Sequence, residues 1–337
     1  MSTPSSPPLL ELRQLKKYFP VQKGFWGRTV GFVKAVDGVS LTAQPGETVG
    51  IVGESGSGKT TLGRTLLRLY EPSSGEILLR VNNQVEVVNE LNVTDLRRLR
   101  QSAQMIFQDP FSSLNPRMTV LETVGEPLLV NGIARGRDLE ARVKEVLLQV
   151  GLRVEHLQRY PHSFSGGQRQ RIGIARAIII KPSLIVADEP VSALDVSVQA
   201  QILNLLKDLQ GQHQLTYLFI SHAMNVVRYM CDRIAVMYAG RIVELGTNSQ
   251  VMKTPMHPYT ETLLASVPKT SRRFRGARTV SLGEVPDLAS LPQGCAFHPR
   301  CKYVIDRCKT DVPLVRDLGN GQMVSCHRAE DIECKGI

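Results

Sequence analysis

The feature that most constrains this chain is the nonapeptide Gly53-Glu54-Ser55-Gly56-Ser57-Gly58-Lys59-Thr60-Thr61. An apolar, strand-like run (Glu47 to Val52) leads into it, and a helix-like run (Thr61 to Leu67) leads out. The glycines let successive backbone N–H groups curl inward, and the curl ends at the positive pole of a helix, which suits a polyphosphate. The pattern G-x-x-x-x-G-K-[ST] between a strand and a helix is the P-loop arrangement. In it Lys59 reaches the β- and γ-phosphates and the Thr60 hydroxyl ligates Mg²⁺.

The rest of the chain says what such a loop is used for. At 337 residues it has room for one large domain and a smaller one. No stretch approaches about eighteen consecutive apolar residues, so no membrane-spanning helix is expected. Met1 to Pro8 lacks the charged and apolar regions of a signal peptide, so the chain is expected in the cytosol, docked on a membrane partner. A net charge of +10 fits a basic surface near anionic lipid or an acidic partner; no nucleic-acid module accompanies it, and the one local basic run is Lys269 to Arg278. Of six cysteines, five fall between residues 295 and 334, and in the cytosol they are not expected to form disulfides.

Apolar runs place strands at Leu9–Leu15, Val33–Leu41, Glu47–Val52, Ile77–Val88, Ala103–Gln108, Ser183–Glu189 and Leu215–Ser221, with a hairpin at 234–244 around Ala239-Gly240. Gly24 to Gly31 reads as a surface hairpin. Residues 112–180 are mainly helical in pattern; Leu139, Val143, Val146, Leu147 and Val150 share one face of a helix there. This stretch interrupts the strands as an inserted helical subdomain. Strands alternating with helices predict an α/β fold with a mostly parallel, doubly wound core. Near residue 268 the texture turns to Arg, Pro, Gly and Cys, so domains are expected at 1–267 and 268–337.

Further motifs follow the P-loop in order. Tyr18 lies about thirty-five residues before it, either to stack on a purine or to pack at a sheet edge. Gln108 ends a short strand. Phe164-Ser165-Gly166-Gly167-Gln168 opens a helix with Ser165 as N-cap, a second anion-binding helix start. Asp188 and Glu189 close a buried strand, the first suited to hold Mg²⁺ and the second to polarise an attacking water. Asp195 and His222 complete the series; a lone histidine at a strand end is weak evidence, whereas the ordered set is specific.

The set resembles the nucleotide-binding subunit of an ABC transporter, a P-loop NTPase with an inserted helical subdomain, over roughly the first 260 residues. The resemblance implies an ATPase using ATP and Mg²⁺. Tyr18 is similar to the adenine-stacking aromatic, and Gly53, Glu54, Ser55, Gly56, Ser57, Gly58, Lys59, Thr60 and Thr61 to Walker A. Gln108 is similar to the Q-loop glutamine, which senses Mg²⁺ and faces the membrane subunit. Ser165, Gly166, Gly167 and Gln168 match the signature motif, Asp188 the Walker B aspartate, and Glu189 the general base. Asp195 matches the D-loop aspartate and His222 the switch histidine; Ala223 departs from the aspartate many relatives carry. With one Walker A and one signature motif the chain is half an engine. The resemblance therefore implies a second ATPase subunit, identical or paralogous, coupled to two transmembrane permease subunits on the cytoplasmic face of the membrane.

Residues 254–264, 282–286 and 292–301 resemble the C-terminal extension of oligopeptide/dipeptide importer ATPases, which implies peptide import served indirectly by an extracytoplasmic binding protein. Alternatives are a nickel or other small-solute importer, or a soluble ABC ATPase acting on nucleic acid. Cys295-x₅-Cys301-x₆-Cys308 followed by Cys326 offers four soft ligands for an iron–sulfur cluster or zinc, or four free thiols. The family likeness favours a [4Fe–4S] cluster over zinc, with His298 and His327 as substitute ligands and Cys231 and Cys334 outside the set. On this reading the tail is separate from the phosphate loop.

Overall fold

The computed structural model describes residues 7–23, 28–267 and 287–337. The start of the expected polar N-terminal tail, part of the Gly24–Gly31 hairpin, the basic run Lys269–Arg278 and the Leu282–Pro286 segment lie outside them.

Strands β1 (Leu10–Lys23) and β2 (Arg28–Ala43) pair antiparallel, and β1 also pairs with β4 (Ser74–Val81), which pairs with β5 (Gln84–Val87). Their inward side chains, among them Leu10, Leu12, Leu15, Val36, Leu41, Ile77 and Leu79, are buried. The expected single strand Ile77–Val88 is broken because Asn82 and Asn83 take positive φ (50° and 65°), the two-residue hairpin geometry that asparagine tolerates. Strand β3 (Thr48–Val52) belongs to a second sheet and leads through the phosphate loop into helix α1 (Lys59–Leu66).

Helix α1 packs against β1 and β2 on one side and β7 (Leu184–Asp188) and β8 (Thr216–Ser221) on the other. Gly63 permits this closeness, since a Cβ there would lie 2.8 Å from Ile220 and 2.9 Å from Val186 side-chain carbons. Burial of Leu62 and Leu66 stabilises this seat by about 3–6 kcal/mol at ~1.5–3 kcal/mol for each leucine. The phosphate loop is thereby fixed between two sheets.

The second sheet runs β11-β12-β10-β9-β3-β8-β7-β6. Strands β6 (Ala103–Ile106), β7, β8, β3 and β9 (Arg233–Tyr238) are parallel. Strands β10 (Arg241–Thr247), β11 (Arg316–Asp317) and β12 (Met323–Val324) join antiparallel. The parallel doubly wound core is thus one part of a mixed sheet, and a wholly antiparallel sheet stands beside it. Every residue of β3, β7 and β8 is buried, which explains their unbroken apolar runs.

Helix α2 (Val93–Ser102) precedes β6; α3 (Val120–Val130), α4 (Gly136–Gln149) and α5 (Gly166–Ile178) form the helical insertion. Val143, Val146 and Leu147 of α4 are buried on the face the sequence indicates. Helices α6 (Val196–His213) and α7 (Met224–Met230) flank the sheet; α8 (Asn248–Lys253), α9 (Pro258–Ala265) and α10 (Asp306–Thr310) close the chain.

The tail shares the sheet through β12, which pairs with β10 at Glu244↔Val324 and Leu245↔Met323. A β-bulge after Ile242 accompanies the burial of Glu244. Its carboxylate accepts from the N–H groups of Met256 (2.8 Å) and His257 (3.0 Å), from the Thr260 hydroxyl, and from Gln322 Nε2 (2.7 Å). One buried carboxylate thus holds the chain entering α9, whose N-cap is His257, and ties the tail to the core.

Candidate active site

Parallel register sets the site. Val52 aligns with Ser221, Ile220 with Asp188, and Ile106 with Ala187. The residues after these strands, Gly53, His222, Glu189 and Gln108, therefore emerge along one edge. Ligands bind at this carboxyl edge in open α/β sheets.

The loop is held tightly from behind. A Cβ on Gly53 (φ +157°) would lie 2.1 Å from the Met237 carbonyl oxygen, and one on Gly58 (φ +103°) 2.0 Å from that of Ala35. Lys59 Nζ donates to the carbonyls of Gly53 (2.8 Å) and Glu54 (2.7 Å) across the loop mouth. Burial lowers its pKa, opposed by Glu189, Asp188 and Glu54. Thr60 Oγ1 donates to Asp188 Oδ1 at 2.9 Å, joining the loop to β7. Asp188 is fully buried, and its Oδ2 has no hydrogen-bond partner among the described residues. Burial raises its pKa, against the Thr60 hydrogen bond. A buried, unpartnered carboxylate oxygen beside a threonine hydroxyl is a hard donor set that suits Mg²⁺.

Glu189 Oε2 accepts from Gln108 Nε2 (3.2 Å) and faces His222 Nδ1 (3.0 Å). Three residues the sequence singles out separately thus meet on one oxygen. Glu189 also has φ +46°, a left-handed value that is costly for a side chain of this kind and recurs at functional sites. Its N–H donates to the Ile220 carbonyl (2.9 Å), which holds the turn.

Ser165 and Gln168 form a reciprocal capping box at the start of α5, and Gly166 and Gly167 pack against Leu194 and Val198. Asp195 is the N-cap residue of α6 and makes no side-chain cap bond. Among the described residues no hydrogen bond joins Ser165–Gln168 to the loop at 53–61. Tyr18 is half-buried, its hydroxyl bonded to Asp37, which Arg241 grips at 2.6 and 2.8 Å. Burial and the Asp37 bond push the Tyr18 phenol up to about 12. Beside Gln108, a cavity of about 720 Å³ opens between β6 and α3, lined by Phe107, Asp109, Arg100, Glu126 and Arg176.

Cys295, Cys301, Cys308 and Cys326 line one cavity of about 10 Å³, shared with His257, His298 and His327. All six cysteines are free thiols. Burial first, then the neighbouring thiols, push Cys295 and Cys326 up to about 11. The expectation of an iron–sulfur cluster or zinc at these cysteines finds no support in this geometry. Among the described residues no group of three or more His, Cys, Asp or Glu is set to hold a metal ion, and a space of ~10 Å³ takes about one water.

Sequence reasoning also separates tail and loop, whereas the structure joins them. Arg300 bonds Glu54 through both guanidinium ends, and Tyr259 accepts from the Glu54 N–H. None of Arg300, Tyr259, Asp37, Arg241 and Glu244 is given a site role by the sequence, because each acts through a distant partner.

A phosphate loop closing a buried strand, with an aspartate and a glutamate at the end of the next strand but one, defines a nucleotide-hydrolysing P-loop cassette. The chain belongs to the ABC transporter family. The family model described as "ABC transporter" matches residues 36–192, and that of the "Oligopeptide/dipeptide transporter, C-terminal region" matches 243–308. The chain is 48% identical over 330 residues to the oligopeptide transport ATP-binding protein AppF of Bacillus subtilis, covering 97% of this chain and 99% of the relative. It is 45% identical over 319 residues to the dipeptide transport ATP-binding protein DppF of Haemophilus influenzae, covering 95% and 96%. Among solved structures it is similar to the cassette MJ0796, a dimer in a post-hydrolysis state bound to ADP and Pi. That match has TM-score 0.61 and 30% identity, and covers 71% of this chain and 98% of the other.

Proposed function

We propose that this chain is the ATP-hydrolysing subunit of a di- or oligopeptide importer. The observation that carries the catalytic part is the meeting of Gln108, His222 and Glu189 on one side of the Lys59–Thr60–Asp188 cluster. Lys59 and the loop N–H groups hold the phosphates, and Tyr18 offers its ring to the adenine. Thr60, Asp188 and Gln108 hold Mg²⁺, which when bound draws charge from the β- and γ-phosphates. Glu189 takes the proton of the attacking water, and His222 and Gln108 orient its carboxylate.

Ser165–Gln168 closes over the nucleotide of a partner ATPase, with Asp195 at the same interface. Two copies, or this chain and a paralogue, thus complete two sites, in keeping with the dimeric MJ0796 cassette. The groove beside Gln108 receives a permease subunit, so dimer closure moves the transporter between its two facings. The chain sits on the cytoplasmic face of the membrane; among the described residues no helix is long and apolar enough to cross one. Peptide as cargo rests on the names of the relatives and on the matching C-terminal region. The tail boundary falls near residue 268. Cys295, Cys301, Cys308 and Cys326 are the donor set for a [4Fe–4S] cluster, a reading supported by the chemistry of four soft ligands lining one cavity.

Uptake of a labelled dipeptide by cells lacking this chain, complemented with wild type or Glu189→Gln, tests the function. Uptake restored by wild type and absent with the variant is expected. Unchanged uptake in the deletion strain overturns the peptide reading.

A further inference from the structure

Glu54 is an unfavourable residue for its position. It places a carboxylate in a loop whose N–H groups serve a polyphosphate, and like charges there repel. The structure answers this from the far end of the chain. Arg300 Nη1 and Nη2 each lie 2.7 Å from a different Glu54 oxygen, a two-pronged pair. The arginine side chain is 5% exposed and the glutamate 24%. Arg300 is itself held: Nη1 reaches the Tyr238 hydroxyl at 3.5 Å, and its guanidinium lies 5.7 Å from the Phe297 ring. Phe297 packs edge-on to Tyr238 (5.2 Å) and against Tyr259 (5.4 Å). Tyr259 completes the grip by accepting from the Glu54 N–H at 2.7 Å.

We propose that Arg300 is a positioning residue for the phosphate loop, cancelling the Glu54 charge and pinning its side chain while Tyr259 pins its backbone. The tail is then a working part of the nucleotide site. Its state is felt there directly, because Arg300 immediately precedes Cys301 of the thiol cavity. This rests on the ATP-binding reading of the loop.

The test titrates purified full-length protein with MgATP and records thermal unfolding of the same samples. Arg300→Gln is expected to bind MgATP about tenfold more weakly, equivalent to about 1.4 kcal/mol. Adding Glu54→Gln removes the stranded charge and is expected to bring affinity back within about threefold of wild type, at about 0.6 kcal/mol. A merely structural Arg300 does not produce that recovery. Wild-type affinity in Arg300→Gln, or a loss that persists unchanged in the double variant, overturns the proposal. Should Arg300→Gln fail to fold, Arg300→Lys keeps the charge but loses the fork, and is expected to lose less than about tenfold in affinity. A larger loss with an unchanged unfolding midpoint overturns it. Absence of MgATP binding by wild type instead overturns the ATP reading of the loop.

Discussion

Replacing Glu189 by glutamine isolates the chemical step from nucleotide binding. The carboxylate is 13% exposed, and Oε2 is engaged by Gln108 and His222, while no protein hydrogen bond reaches Oε1 among the described residues. Oε1 is therefore the oxygen available to a water. Glutamine fits the same space and retains a carbonyl oxygen, but it cannot take a proton. General-base assistance contributes about 10²–10⁴ in rate, equivalent to ~2.7–5.4 kcal/mol of barrier. Lys59, Thr60 and Asp188 keep their own bonds, since none of these runs through Glu189. The expected outcome is MgATP affinity within about threefold of wild type, turnover down by at least ~100-fold, and a dimer that persists in ATP on size-exclusion chromatography. Turnover within about tenfold of wild type removes Glu189 from the role of base, and loss of MgATP binding refutes the separation between the two clusters.

Three further outcomes follow from the geometry. Burial raises the Asp188 pKa, so Mg²⁺-dependent ATP binding is expected to fall, as pH drops, before an ordinary carboxylate would protonate; titration of MgATP affinity between pH 7 and 4 checks this, and binding measured in EDTA should lack that step. The sign for folding is opposite: a carboxyl with a raised folded pKa costs stability when ionised, so this group's penalty is relieved as pH falls through that pKa. Glu244→Ala strips a buried acceptor from four donors and should cost about 2–4 kcal/mol, less than four full penalties because a buried charge also goes; urea unfolding measures it, and a cost below ~1 kcal/mol refutes the accounting. For the thiols, anaerobic purification with iron, sulfide and zinc counts is expected to give about four irons per chain, as a cubane on four thiolates requires; zinc alone or no metal excludes the cluster.

Much of the site is local in sequence and therefore legible there. The phosphate loop, the capping box at Ser165 and Gln168, and the buried strand ending in Asp188-Glu189 each follow from a few neighbouring residues. Each has one low-energy local geometry that its residue types favour. The helix at 136–149 is legible for the same reason, through its single apolar face. The Asn82-Asn83 break lies within reach of local reasoning too, since paired asparagines favour a tight hairpin. The antiparallel sheet of β1, β2, β4 and β5 is harder, because alternation identifies strands without identifying their neighbours.

The sequence by itself determined the strand–loop–helix around Lys59 and the two carboxylates that close the strand at Asp188-Glu189, because such local geometry is settled by near neighbours. Tertiary structure alone decided that Gln108 and His222 share one oxygen of Glu189, since parallel register aligns strands that are distant in the chain, Gln108 lying 81 residues from Glu189. It also decided that Arg300 answers Glu54 and that Gln322 answers Glu244. Buried charges must find partners wherever the fold supplies them, and no spacing in the sequence records which partner that will be.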